Sequence, residues 1–299
     1  MNPFNALIVR TLPFVPKPLV RVVASRYVAG ETLEDAVRSV RALNAEGCSA
    51  TLDVLGEDMT RVDEAEETVA EYRRALDAIA GNGLDANISI KLTALGLKLD
   101  RSRCREQFGR ILEAARARGT FVRIDMEDSS VTEETIRIYL ESRGQTDGVG
   151  LVLQAYLRRS QEDARRAASV RANVRVCKGI YREPPELAFT GRDEIRDSFA
   201  AIVDGLLAQG CFVGIATHDA ALVERALATV RRLGLAREAY EFQMLLGVAV
   251  ELRRRLVAAG HRLRVYVPYG QAWHAYSLRR LKENPAIAGQ IVKGMFGSR

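Results

Sequence analysis

The chain has 299 residues, with 44 Lys and Arg against 38 Asp and Glu for a formal charge of +6, and 47% of its residues are hydrophobic, the composition of a globular protein with a sizeable core. No apolar run reaches the roughly 18 residues a membrane-spanning helix needs, and Met1 to Val20 lacks the continuous apolar stretch and small-residue cleavage site of a secretory signal. Four scattered cysteines without C-x-x-C and three histidines argue against a disulfide framework or a zinc cluster, while arginines interleaved with Glu and Asp read as solvated helix faces rather than a nucleic-acid surface.

Two helical stretches come first, about Lys17–Ala29 and Glu31–Glu46. Eight short β-rich runs follow: Cys48–Gly56, Asn87–Leu92, Thr120–Glu127, Val149–Tyr156, Asn173–Tyr181, Cys211–His218, Ala239–Leu245 and Arg262–Gly270. Each is rich in Val, Ile, Leu, Phe or Tyr and is edged by Gly, Asn or Arg. Between them, apolar residues recur at helical spacing, as in Ala65, Val69, Tyr72 and Leu76. Candidate caps are Thr132 with Thr135, Ser160 before Gln161, and Asp219 before Ala220. Strand then helix, eight times, predicts an α/β fold: a single (β/α)8 TIM-type barrel with extra N-terminal helices that pack outside it or cover one end. The last helix spans Ala275–Glu283. With no Gly-, Pro- or Ser-rich linker, residues 1–299 read as one domain: helices over 1–47, barrel over 48–284, tail over 285–299. The rival is an open doubly wound sheet. Its nucleotide signature is missing, because Gly81-Asn-Gly83-Leu-Asp-Ala86 precedes a strand and reads as a helix end and turn.

Barrel enzymes build their sites at the C-terminal strand ends. Those ends carry Asp53, Lys91, Asp125, Gln154, Arg175, Lys178, Thr217, His218, Gln243, Tyr266 and Tyr269. On the final helix, Tyr276 lies one turn before Arg279 and Arg280, so the three share a face. Each has a plainer reading: Lys91 in a salt bridge to Asp53 or Asp125, His218 as a hydrogen-bonded core residue, Arg279 and Arg280 on a solvated face. Their concentration on one rim favours a site. The set holds no Ser-His-Asp arrangement and no obvious catalytic carboxylate pair. It offers an anion clamp of Lys91, Arg279 and Arg280 beside tyrosine walls, suited to a carboxylate or phosphate. The residues alone thus describe a barrel enzyme for a small anionic substrate, with an organic cofactor.

Several segments make the chain recognisable. They are Ile88-Ser-Ile-Lys91-Leu, Val122-Arg-Ile-Asp125-Met126-Glu, Leu153-Gln154-Ala-Tyr, Arg175-Val-Cys-Lys178-Gly-Ile-Tyr181, Ala216-Thr217-His218-Asp219, Tyr240-Glu-Phe-Gln243-Met-Leu245, and Tyr266-Val-Pro-Tyr-Gly270 followed by Tyr276-x-x-Arg279-Arg280-Leu-x-Glu283-Asn. In order and placement, from about Thr51 to Pro285, they resemble the monofunctional bacterial proline dehydrogenases. The resemblance implies a distorted (β/α)8 barrel with FAD at its C-terminal face. It implies oxidation of L-proline to 1-pyrroline-5-carboxylate by hydride transfer from C5 to flavin N5, with electrons passed to a membrane quinone. By the same resemblance, Asp125 and Arg175 are the catalytic pair, and Lys91, Arg279 and Arg280 grip the substrate carboxylate. Tyr181, Leu245, Tyr266 and Tyr276 enclose the ring. Met126, Gln154, Arg175, Lys178, Gly179, Ile180, Thr217, His218, Gln243 and Glu283 contact the cofactor. Ile180 stands where the family often has Ala, and His274 where an aromatic is common.

The family reading further implies a cytoplasmic protein with peripheral contact at the inner membrane face, no metal, no nucleic acid, and a downstream pyrroline-5-carboxylate dehydrogenase as partner. Alternatives are hydroxyproline oxidation, which the bulk of Tyr266 disfavours, a folate-linked flavin reductase, or a catalytically silent anion- or nucleic-acid-binding barrel.

Overall fold

Alternation of side chains along each run dictates eight strands with one face toward helices, and a computed structural model contains all eight, describing residues 20, 21, 24–56 and 64–283. Helix α1 (Leu33–Ala45) precedes β1 (Ser49–Val54), α2 (Glu64–Gly81), β2 (Ala86–Ile90), α3 (Arg101–Ala117), β3 (Val122–Ile124) and α4 (Ser129–Arg143). Then come β4 (Val149–Gln154), α5 (Ser160–Ser169), β5 (Asn173–Cys177), α6 (Arg192–Ala208), β6 (Phe212–Ala216) and α7 (Ala220–Leu233). The chain ends its described part with β7 (Tyr240–Leu245), α8 (Val250–Ala258), β8 (Leu263–Tyr269) and α9 (Trp273–Glu283). All eight strands are parallel in the order β1 to β8, and β8 closes on β1 with Thr51 opposite Tyr266 and Asp53 opposite Pro268. Closure excludes the open doubly wound sheet. Gly81 ends α2 and Gly83 turns at φ +59°, so the glycine pair is a helix end and turn.

Several expected ends shift. The β3 run is only Val122–Ile124, although the Asp125 amide still donates to Ile90 O at 2.8 Å. Strand β5 stops at Cys177, just before Gly179 at φ +113°. Helix α4 is capped by Asp128, whose carboxylate accepts from Ser130 N, so Thr132 lies inside the helix and is not its cap. Ser160 is the first residue of α5, and its hydroxyl donates to Gln154 O at 2.6 Å instead of capping. Asp219 caps α7 as its sequence position suggests.

Two features position the site. The apolar strand residues, among them Leu52, Ile88, Ile124, Leu151, Val174, Ile215, Phe242 and Val265, face the helices and form the main core. The barrel interior instead carries polar side chains that bond across it, where barrels ordinarily stack branched aliphatics. Gly150 and Gly214 make room: a Cβ there would lie 2.3 Å from Arg123 Nη1 and 2.4 Å from Gln243 Nε2. Second, α1 sends Ala36, Val40 and Leu43 into the core against β8 and β1, the gap that a helix following β8 would otherwise fill. Tyr276 and Trp273 of α9 pack instead with Val28 and with Leu55, just beyond the C-terminal end of β1. The N-terminal segment also meets the strand ends, Ala29 N donating to Pro268 O and Gly270 N to Gly30 O. Of the expected Lys17–Ala29 helix, residues 20, 21 and 24 are helical, but 25–27 form a turn and 28 and 29 are irregular, so the helix does not run to Ala29; residues 17–19, 22 and 23 lie outside the described residues.

Candidate active site

Residues two apart on a strand point the same way, so Asp53 of β1, Ser89 of β2 with Lys91 just beyond it, Asp125 past β3, Arg175 of β5 and Tyr266 of β8 converge inside the barrel mouth. Asp125 is the hub. Its Oδ1 accepts from Arg175 Nη1 at 2.7 Å and Ser89 Oγ at 2.6 Å, and its Oδ2 accepts from Tyr266 O–H at 2.7 Å. Lys91 Nζ donates to Asp53 Oδ1 at 2.8 Å and stands 3.8 Å from Asp125 Oδ2. The salt bridge the sequence offered as a plainer role for Lys91 is therefore formed, with both aspartates. The Arg175 guanidinium also lies over the Tyr266 ring, 5.2 Å from its centroid.

Burial sets the electrostatics. It pushes the Asp125 carboxyl up, but Arg175 and then Lys91 outweigh it, so Asp125 is held below the ordinary carboxylate range. Asp53 is fully buried, and for it burial wins over Lys91, with the Asp125 charge adding to the rise. Burial, then the negative charges of Asp125 and Asp53, push the Tyr266 phenol well above its usual value. Two carboxyls sharing one ammonium are thus driven in opposite directions, a pattern typical of reaction centres.

The ends of β4 to β7 make a second wall. Gln154 donates from Nε2 to Glu127 O at 2.8 Å. Lys178 and Arg196 share Asp219 at 2.7 and 2.8 Å, and against the opposing effect of burial the two cations hold Asp219 far below its usual range. His218 Nε2 accepts the Leu245 amide at 2.9 Å, which assigns a neutral ring with its proton on Nδ1. Thr217 Oγ1 accepts from Asp219 N. Gly179 is required by its φ of +113° and by Tyr156, whose ring would sit 2.0 Å from a Cβ. Ile180 beside it is 38% exposed, a large apolar side chain left open.

The remaining expected residues lie as follows. Tyr269 points away from the mouth, its hydroxyl donating to Glu71 Oε1 of α2 at 2.9 Å, because Tyr266 already takes the inward position and Tyr269 has the opposite parity. Met126 is buried in the main core. The Gln243 amide is occupied at both ends by protein, accepting from Arg175 Nε and donating to Glu241. Tyr181 and Leu245 are half-buried beyond β5 and at the end of β7. Tyr276 is buried on α9. Arg279, Arg280 and Glu283 follow on α9, with side chains outside the described residues. Sequence reasoning passed over Ser89, Glu241, Arg196 and Asp219 as site residues. Ser89 and Glu241 each sit two positions before a recognised group, a parity signal that would have found them. Among the described residues, no group of three or more His, Cys, Asp and Glu is arranged to hold a metal.

A closed parallel barrel with a buried charge network at its C-terminal strand ends defines a (β/α)8 enzyme. The chain belongs to the proline dehydrogenase family, whose model "Proline dehydrogenase" matches residues 36–293. It is 37% identical over 275 residues to proline dehydrogenase 1 of Bacillus subtilis subsp. natto, covering 92% of this chain and 91% of that one. It is 34% identical to proline dehydrogenase of Deinococcus radiodurans, covering 91% and 89%. The bifunctional protein PutA of Escherichia coli is 28% identical over 89% of this chain but only 24% of its own length. Among solved structures, proline utilization A from Bdellovibrio bacteriovorus, inactivated by N-propargylglycine, superposes with a TM-score of 0.85 at 22% identity, over 96% of this chain and 37% of that one. That likeness bears on the fold, and the fold agrees with the (β/α)8 barrel read from the sequence.

Proposed function

We propose that the chain oxidises L-proline to 1-pyrroline-5-carboxylate with FAD as cofactor and passes the electrons to a membrane quinone. The observation that carries the reading is the Asp125 hub, which joins Arg175, Tyr266, Ser89 and, at longer range, Lys91 at one barrel mouth in a member of this family.

The β5–β6 wall fits a flavin dinucleotide. Lys178 and Arg196 converge on Asp219, with the exposed Asp193 a longer, second partner of Arg196, and two adjacent cationic donors suit a diphosphate. Exposed Ile180 and neutral His218 offer apolar and uncharged surface beside it, and Gly179 lets the backbone turn tightly there. Lys178, Gly179, Ile180, Thr217, His218, Gln154, Arg175 and Glu283 would hold the cofactor. When bound, the flavin supplies the two-electron acceptor that no side chain of the chain provides.

The chain's own residues bind and orient. Lys91, Arg279 and Arg280 take the proline carboxylate, converting binding energy into alignment of the ring. Tyr181, Leu245, Tyr266 and Tyr276 exclude water from the ring. Asp125 remains ionised and fixes both the Tyr266 wall and the Arg175 guanidinium, whose positive charge is preorganised where negative charge develops. Among the described residues no helix is long and apolar enough to cross a membrane. Delivery of electrons to a lipid-soluble acceptor calls for contact with the membrane surface, and the reading places that contact at its inner face.

The test is steady-state oxidation of L-proline with a soluble electron acceptor. Arg279→Ala should raise the proline KM at least about tenfold, roughly 1.4 kcal/mol of carboxylate binding. Saturation by proline at unchanged concentration in that variant would contradict the assignment.

A further inference from the structure

Beneath the mouth, the barrel interior holds a chain of hydrogen bonds that no binding role explains. Arg264 Nη1 donates to Ala50 O at 2.7 Å and its Nε to Glu241 Oε1 at 2.8 Å. Glu241 Oε1 also accepts from Gln243 Nε2 at 2.6 Å, and Gln243 Oε1 accepts from Arg175 Nε at 2.6 Å. Arg175 then meets Asp125 through Nη1. Glu241 and Gln243 are buried, at 2% and 5% exposure.

We propose that Glu241 is a positioning residue for proline oxidation, fixing the orientation of Gln243 and thereby seating the Arg175 guanidinium against Asp125. This rests on the reading of Arg175 as a catalytic group. A primary amide has a donor end and an acceptor end, a guanidinium only donates, and an ionised carboxylate only accepts. Between Arg175 and Glu241, Gln243 has therefore one allowed orientation. Burial pushes the Glu241 carboxyl up, but Arg264 overrides it and the group stays ionised. Asp125 and Gln243 grip different nitrogens of Arg175, so the guanidinium is held at two points. With Gln243 flipped, its N–H would oppose the Arg175 N–H and the second grip would be lost. Gly214 supports the same reading, since its missing side chain leaves the space the Gln243 amide occupies.

The experiment is a double-mutant cycle on the FAD-loaded enzyme, with kcat, the proline KM and the visible absorption envelope of the bound flavin as readouts. Glu241→Gln keeps the volume but can donate to Gln243 and permit the flip. Glu241→Gln and Gln243→Ala should each lower kcat about tenfold with KM within about twofold, and the double variant should lose no more than either alone, because both act through one grip on Arg175. Each should also alter the flavin envelope. Multiplying losses in the double variant, a KM effect without a kcat effect, or an unaltered envelope would overturn the proposal. Gly214→Ala, which displaces the amide and leaves every charge in place, gives a second route where Glu241→Gln does not fold; full kcat in that variant also overturns it. Arg175→Lys in parallel separates the two levels: a large kcat loss there with none in Glu241→Gln rejects the positioning role alone, whereas unchanged kcat in Arg175→Lys rejects the catalytic reading of Arg175 and the proposal with it.

Discussion

Asp125 carries more of this site than any other side chain, because three donors and a nearby ammonium depend on one carboxylate. Asp125→Asn keeps the shape but removes the carboxylate that Arg175 pairs with and one of the two that Lys91 meets. Removing one member of a buried ion pair costs about 3–5 kcal/mol, so the variant should melt at lower temperature. Its kcat/KM for L-proline should fall about a hundredfold or more, roughly 2.7 kcal/mol of transition-state stabilisation. Activity within about threefold of the parent would remove Asp125 from the centre. At this scale the sequence was legible where a polar residue interrupts an apolar strand end, as with Lys91, Asp125, Arg175 and Tyr266. It misleads where residue type is read without strand parity: Tyr269 resembles Tyr266 in kind but stands three positions on, and faces α2. Glu241 was passed over because an acidic residue early in a strand reads as an edge position until its partners are known.

Among elements, the strands were legible from period and composition, and the helix starts less so. Thr132 and Ser160 look like caps by type, but Asp128 lies earlier and reaches the free amides first, and the Ser160 hydroxyl is engaged by the end of β4. The eighth helical position was beyond a local reading, since only closure reveals that α1 fills the gap between β8 and β1 while α9 carries Tyr276 over a strand end. The helical layer is tied together by arginine networks. Glu133 of α4 receives Arg166 and Arg159 across the α4–α5 boundary. Their hydrogen bonds, Arg166 first, lower its carboxyl to about 2 from 4.5. A lowered folded-state value contributes stability that is full above about 4.5 and is lost as pH falls toward about 2. Glu133→Gln should therefore flatten the acid limb of a melting-temperature profile in that window. Above it, the loss should stay under about 1 kcal/mol, because the Glu133 side chain is 60% exposed and solvent screens the pairs. An unchanged acid limb would show that the network does not tie the helices.

For the molecule as a whole, the count of eight strand–helix repeats was enough to foresee a barrel, and the β8–β1 register closes it. What the count could not foresee is the polarity of the interior. A barrel filled with Arg123, Arg175, Arg264, Asp125, Glu241 and their amide partners uses its own core to hold the charges at its mouth, and Gly150 and Gly214 are the positions that make such filling possible. The central claim is that this charged mouth, in a member of the proline dehydrogenase family, is a flavin site that oxidises proline. The most direct measurement is the visible absorption spectrum of the purified protein under anaerobic conditions, before and after adding L-proline. The account predicts an oxidised-flavin spectrum that L-proline bleaches and trans-4-hydroxyproline does not. A flavin spectrum unmoved by proline would contradict the substrate, and a colourless protein that cannot be reconstituted with FAD would contradict the site itself.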